Sequence, residues 1–398
     1  MIQVVGGVYL ERCLEPNWNE VYGSAGRAAA ALAAVSDKVV LYTRMHEDLK
    51  RQFKAVADSH NFSWQAEPSE QIIGFAYTHC LSTPFITPRF IHREAELEVT
   101  GEVVLRFGMM ESSAIVHGNR VVYDPQDAES PEPFHQNGST AEHLAVVVNG
   151  YELKCLTGVE DPETGGRQLL AEGAEVVVVK QASRGCVVVL KDRAQSVPSY
   201  RTGFVWSIGS GDIFAAAFAH YWGEHDMDPT EAADLASRST AVFCDTMSRS
   251  LLSLEELRLR SLEPLPRPEG RRKVYLAGPF FNLSQRWLIE EARSQLLAQH
   301  LKVFSPLHEI GPGPAEIVAK ADLQGLENCD RVLALVDGGD VGTIFEVGYA
   351  KAHGIPVVAF SQNMPEEDLK MLEGTDCIIV KDFVTAIYET SWLAGTPE

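Results

Sequence analysis

The chain has 398 residues, enough for two or three domains, and its 45% hydrophobic and 22% charged side chains are the balance of soluble globular protein. A formal net charge of −21 with no Lys/Arg-rich run argues against direct nucleic-acid binding, because a polyphosphate backbone would repel such a surface. Seven scattered cysteines without a CxxC pair argue against a disulfide framework or a structural zinc site, and suit small core residues in a reducing cytoplasm.

The opening MIQVVGGVYLERC lacks the basic and apolar regions of a signal peptide, and no run of about 18 apolar residues predicts a membrane span. Apolar runs at 2–8, 38–43, 144–148, 175–180 and 186–190 predict strands covered on both faces, as in a parallel sheet. Helical patterns fall near 24–35, 211–223 and 229–246. Residues 72–117 alternate more and predict antiparallel or lid-like strands.

At 262–272, LEPLPRPEGRR combines prolines, a glycine and mixed charges, the composition of a linker. The pattern then restarts with strand 273–277, helix 284–299, strand 302–304, helix 314–327, strand 331–336, helix 343–353 and strand 356–360. The expected architecture is therefore α/β in two domains, 1–262 and 273–398, joined by a linker at 263–272. The tail after about 390 reads as a loose end or a packing arm.

In the second domain, strand 273–277 runs into AGPFFN, a Gly-Pro turn at a strand's C-terminal end, where open α/β sheets bind ligands. Asp322 precedes Asp330 and the next strand. That strand ends in DGGDVGTIFEVGYAKAHG, which puts Asp337 and Asp340 in a Gly-rich loop and Glu346 in the first turn of a helix. Thr343-x-x-Glu346 also has the form of a capping box, in which Thr343 caps the helix and Glu346 reaches back to its backbone. Asp330 and Asp337 are open to simple capping or turn roles.

In the first domain, SIGSGDIFA sets Gly209, Ser210, Gly211 and Asp212 before an apolar helix. Glycines let backbone N–H groups approach a phosphate, and a helix N-terminus favours its charge. Asp212 is placed to take a proton from a substrate hydroxyl, or merely to start a helix after a turn. No GxxxxGK[ST] occurs, so a P-loop is excluded.

YLAGPFFN, the Asp322 segment and D-x-G-T-x-F-E-x-G-Y-A together resemble the nucleoside 2-deoxyribosyltransferase family over roughly 120 residues. The resemblance implies a flavodoxin- or Rossmann-like parallel sheet flanked by helices. It implies a Glu346 nucleophile that attacks C1′ of a nucleoside or nucleotide, with Tyr275 orienting the carboxylate. Asp322, Asp340, Gly278 and Arg286 then line the substrate site. Asn282, Ser284 and Arg286 follow the first strand, a place for a 5′-phosphate if the substrate carries one, and Arg286 equally suits the surface of helix 284–299. No cofactor is implied for this domain, and a homo-oligomer is. The sugar passes to a second base or to water. NAD also contains an N-glycosidic bond.

VVGGVYLE, YGSAGRAAAALA, VVVNGYELKCLTG, VVKQASRGCVVV and GSGDIFAAAF resemble the PfkB or ribokinase family of sugar and nucleoside kinases over residues 1–250. That resemblance implies a ribokinase-like α/β sandwich, with Asp212 as catalytic base and Gly209, Ser210 and Gly211 as anion hole. Asn149 and Glu152 match N-x-x-E and imply Mg²⁺ held through water, with ATP as donor if the domain is active. The sequence departs from the pattern at several points. Glu11 stands for an aspartate that grips substrate hydroxyls. Gly-Gly-x-Gly-x-Asn reads Gly23-Ser24-Ala25-Gly26-Arg27-Ala28. Asp-Thr reads Trp206-Ser207, and a turn glycine is Ala182. These departures leave two arrangements open: a bifunctional enzyme, or a glycosidic-bond enzyme with a degenerate kinase-like domain for ligand sensing or assembly.

Overall fold

The computed structural model describes residues 1–127, 129–265, 272–311 and 313–393. Within them the chain forms two compact units. Unit 1 comprises 1–202 and 206–265, and unit 2 comprises 203–205 together with the chain from 266 onward.

Unit 1 contains β1 (Ile2–Val5), β2 (Leu10–Glu15), β3 (Trp18–Val21), β4 (Val39–Met45), β5 (Ser63–Pro68), β6 (Gly74–His79), β7 (Phe85–Thr87), β8 (Leu97–Phe107), β9 (Ala114–Asp124) and β10 (Thr140–Asn149). There follow β11 (Val176–Lys180), β12 (Cys186–Val189), β13 (Ala194–Val197), β14 (Ser199–Tyr200) and β15 (Pro264–Leu265). Its helices are α1 (Gly23–Leu32), α2 (Glu47–His60), α3 (Gly150–Thr157), α4 (Pro162–Ala171), α5 (Ser210–Phe218), α6 (Pro229–Thr246) and α7 (Leu254–Leu259). Nine strands form the main sheet in the order β13-β12-β11-β10-β9-β8-β1-β4-β5. It is parallel from β11 to β5, and β12 and β13 close it antiparallel. The valine runs of β10 and β11 are buried on both faces, which is why they read as unbroken apolar segments.

A second sheet, β3-β2-β6-β7, is mixed. The expectation of lid-like strands over 72–117 holds only for its first half, β6 and β7. β8 instead lies parallel between β1 and β9 at the centre of the main sheet, and Leu97, Val99, Val104 and Leu105 are buried there. The predicted linker is corrected at its start as well. Pro264 and Leu265 pair antiparallel with β14, and 266–271 lie outside the described residues.

Unit 2 contains β16 (Lys273–Ala277), α8 (Leu283–Ala298), β17 (Lys302–Phe304), α9 (Pro306–Glu309), α10 (Ala315–Glu327), β18 (Arg331–Leu335), α11 (Val341–Ala352), β19 (Val357–Phe360), α12 (Glu366–Glu373), β20 (Ile378–Val380) and α13 (Phe383–Trp392). All five strands are parallel, in the order β17-β16-β18-β19-β20. Numbered within the unit this is 2-1-3-4-5, the doubly wound flavodoxin-like order. Of the two readings of the tail, its described part agrees with a packing arm and not a loose end: α13 continues to Trp392, with Thr390 and Ser391 fully buried. Residues 394–398 lie outside the described residues. Among the described residues no helix is long and apolar enough to cross a membrane.

Candidate functional site

In a 2-1-3-4-5 sheet the connections leave the first and third strands in opposite directions, which opens a crevice at their C-terminal ends. Here those strands are β16 and β18. Tyr275, in the middle of β16, is fully buried and stacks on Phe304, with ring centroids 5.6 Å apart at 16°. Its hydroxyl donates to Glu346 Oε1 at 2.6 Å. Glu346 stands on α11, the helix after β18, and is partly exposed.

The capping box expected at Thr343 does not form. α11 starts two residues earlier, and Asp340 is its N-cap: Asp340 Oδ2 accepts from both the backbone N–H and the hydroxyl of Thr343, each at 2.8 Å. A short side chain before the first turn reaches those N–H groups better than a glutamate within it. Glu346 therefore falls in the second turn rather than the first, and its carboxylate bonds across to Tyr275.

Burial pushes the Glu346 carboxyl up to about 7; the Tyr275 hydrogen bond opposes this, and the charges of Asp322 and Asp340 add to it. Burial also raises Asp322, which α10 contributes, and its Oδ1 is buried without a hydrogen-bond partner. Tyr275 is driven well up by burial and by the Glu346 charge, so it stays a proton donor. Tyr275, Asp322, Asp340 and Glu346 thus meet at one edge of the sheet.

Gly278 sits where β16 meets α8. An added Cβ there would come within 2.9 Å of Ile289 Cδ1 and 3.1 Å of Leu335 Cβ, so the glycine answers to packing. Arg286 turns back, its Nε donating to the Phe280 carbonyl at 2.9 Å, while Asn282 caps α8. Asp337 ties the loop after β19 through Ser361 and the N–H groups of Gln362, Asn363 and Met364. Asp330 accepts from Arg331 Nε at 2.6 Å. Both have structural roles.

Unit 1 carries a cavity of about 650 Å³. Gly209, at φ +81°, leads into α5, whose N-terminus no side chain caps. Asp212, in the first turn, is buried with both carboxylate oxygens engaged. Arg27 Nη1 bonds Oδ2, and Gln126 Nε2 donates to Oδ1 at 2.6 Å. The other arm of Arg27 bonds Glu11. An added Cβ on Gly209 would collide with the Arg27 guanidinium, so the two are in close contact. Asn149 and Glu152 form a capping box on α3, in which Asn149 Oδ1 accepts from the N–H of Tyr151 and Glu152 while Glu152 Oε2 accepts from Asn149 N. Lys180 Nζ pairs with buried Asp124 Oδ2 at 2.6 Å and feels the charges of Glu152 and Asp212.

This arrangement fits poorly with a Mg²⁺·ATP phosphoryl-transfer centre. Both oxygens of the proton acceptor are already engaged, the N-x-x-E pair is closed on its own helix, and a lysine ammonium stands among the acids. Sequence reasoning missed Lys180, Asp124 and Gln126. A lysine ending an all-valine strand, and an arginine inside the alanine-rich GSAGRAAAALA, were the available signals. Ala182 adopts φ +49°, a left-handed conformation that glycine favours.

The profile of the pfkB family of carbohydrate kinases matches residues 110–254, and that of the nucleoside 2-deoxyribosyltransferases matches residues 274–375. Unit 1 resembles the first family and unit 2 the second. Deoxyribokinases of Salmonella typhi and Salmonella typhimurium are each 31% identical over 81 residues, so the chain spans 26% of the length of these curated relatives and 19% of itself is matched. Among solved structures, a ribokinase of Thermotoga maritima is 16% identical, covers 65% of this chain and 98% of its own, and has a TM-score of 0.49. A Vibrio cholerae fructokinase holding fructose, ADP and calcium is 14% identical, covers 65% of this chain and 97% of its own, and has a TM-score of 0.48.

Proposed function

We propose that unit 2 cleaves the N-glycosidic bond of nucleosides or nucleotides with Glu346 as nucleophile, in a chain that joins this activity to a kinase-derived small-molecule unit. The observation that carries the reading is the 2.6 Å bond from Tyr275 to Glu346 at the switch point of the sheet. Tyr275 holds one carboxylate oxygen, which leaves the other to attack C1′. A C1′–O ester bond forms as the C1′–N bond breaks, and the base leaves with the electron pair and takes a proton. Asp322, whose carboxyl burial raises, is suited to supply that proton. The ring nitrogen of a second base, or water, then attacks C1′ and frees Glu346. Asp340 spends Oδ2 on capping and offers its other oxygen to a sugar hydroxyl.

The exposed side chains Phe281, Leu283, Trp287, Val341 and Phe345 border this edge and support a homo-oligomer in which a second copy shields the site. Nucleosides, nucleotides and nucleobases are the proposed ligands, in the cytoplasm. Incubating the protein with a panel of nucleosides, nucleotides and NAD, with and without an acceptor base, tests the reading by chromatography. Free base indicates hydrolysis and exchanged base indicates transfer. Either must disappear in Glu346→Gln, a loss of at least about 10³-fold for a missing nucleophile. Base release that survives that substitution would falsify the mechanism.

A further inference from the structure

The acids of the unit 1 centre already have cations of their own. Arg27 is 2% exposed and lies between Glu11 and Asp212, while Lys180 lies against Asp124, which is fully buried. A phosphoryl-transfer centre needs a free proton acceptor for the attacking hydroxyl and a metal to neutralise the donor phosphates. Here one arm of a guanidinium and an amide engage the two oxygens of the acceptor, and an ammonium pairs with the acid beside the anion hole. An added Cβ on Gly211 would lie 3.4 Å from Lys180 Nζ, so that ammonium stands at the mouth of α5. Buried ion pairs of this kind are costly to open, because each partner would be left charged and desolvated.

The cavity nevertheless persists. Its volume of about 650 Å³ falls within the range of small-molecule sites. Tyr9, Phe75 and Tyr77 line one part of it and offer apolar faces to a ring. Asp124 Oδ1, fully buried, has no hydrogen-bond partner and calls for a donor such as a hydroxyl. Five acidic side chains line the cavity against three basic ones, a balance that disfavours a polyanion.

We propose that unit 1 is a metal-independent receptor for an uncharged polyhydroxylated ring, a pentose or a nucleoside, and that Arg27 and Lys180 stand in for the cations of a phosphoryl-transfer centre, so that no phosphate is transferred there.

The test uses the full chain carrying Glu346→Gln, so that unit 2 does not consume the ligand and a failure of the glycosidic reading leaves the result intact. Ribose, deoxyribose, adenosine and thymidine are titrated calorimetrically, once with EDTA and once with Mg²⁺. At least one is expected to bind with affinities equal within about twofold in the two conditions, and to lose that binding when Tyr77→Ala, in the unit 1 cavity, is added to the chain. In parallel, radiolabelled ATP and Mg²⁺ are expected to give no phosphorylated product from any of the four. Lys180→Met should make ligand affinity respond to Mg²⁺, because Asp124 then lacks its cation. Should that variant not fold, the titrations of the Lys180-containing chain decide alone. Binding that requires Mg²⁺, a labelled product that vanishes with Asp212→Asn, or no binding by any of the four overturns the proposal.

Discussion

Replacing Tyr275 by phenylalanine removes one hydroxyl from the candidate nucleophile and little else. The ring is buried and stacked on Phe304, and phenylalanine keeps that packing. What is lost is a 2.6 Å bond to a carboxylate that burial has already pushed up to about 7. A hydrogen bond to a charged group contributes about 1.5–3 kcal/mol. At about 1.4 kcal/mol per pKa unit, the Glu346 carboxyl should rise by about one to two units, because the bond favours the ionised form. The nucleophile acts as the carboxylate, so base release should increase with pH up to about 7 in the parent chain. In Tyr275→Phe the same rise should end at about 8–9. At neutral pH the ionised fraction then falls about 5- to 50-fold, and activity with it. The assay is the pH profile of kcat/KM for base release in both proteins. A limb that does not move, with rates within twofold at every pH, would refute the argument that Tyr275 controls the ionisation of Glu346.

Asp340→Asn should keep α11 capped, since asparagine caps as well as aspartate, while removing a like charge from Glu346. The acid limb of the pH profile should then move to lower pH, whereas Asp340→Ala should lose about 1 kcal/mol of stability in urea denaturation. Arg27→Met should cost about 3–5 kcal/mol by the same measurement, because Glu11 and Asp212 stay buried without their cation. Ala182→Gly should stabilise unit 1 by up to about 1 kcal/mol, read as a higher melting temperature, since φ +49° suits glycine. The Glu152 carboxyl is raised from 4.5 to about 7, chiefly by burial and by Asp124, so the folded chain holds that proton more tightly than the unfolded one. The stability this contributes is complete below 4.5 and is lost as pH rises through about 7. Glu152→Gln preserves the capping box and should flatten the fall in stability across that window.

Much of unit 2 was legible because its signals are local. β16 and β17 fall at the predicted residues, and α10 begins one residue from its predicted start. β20 and α12 escaped notice: the strand is three residues long, and the helix carries a charged first turn with only Leu369 and Leu372 buried. The misplacement of β8 has a different cause. The alternation at 89–99 runs into the first three residues of β8, and nothing local tells a central strand from a lid strand once both alternate.

The two sites differ in the same way. The sequence by itself determined which residue types stand at strand ends and helix starts, and hence that Asp212 opens an apolar helix, whereas the pairing of Tyr275 with Glu346 was only an implication of the family resemblance. The placements follow from short-range periodicity and turn chemistry. Only the tertiary structure decided what each group is bonded to. Asp340 rather than Thr343 caps α11, because a helix start is fixed by which side chain reaches its first N–H groups. Arg27 meets Asp212 across 185 positions of sequence, and Lys180 meets Asp124 across 56. Each pair joins separate elements that the sheet brings together, and the free energy of such a contact appears only when both partners leave water at once.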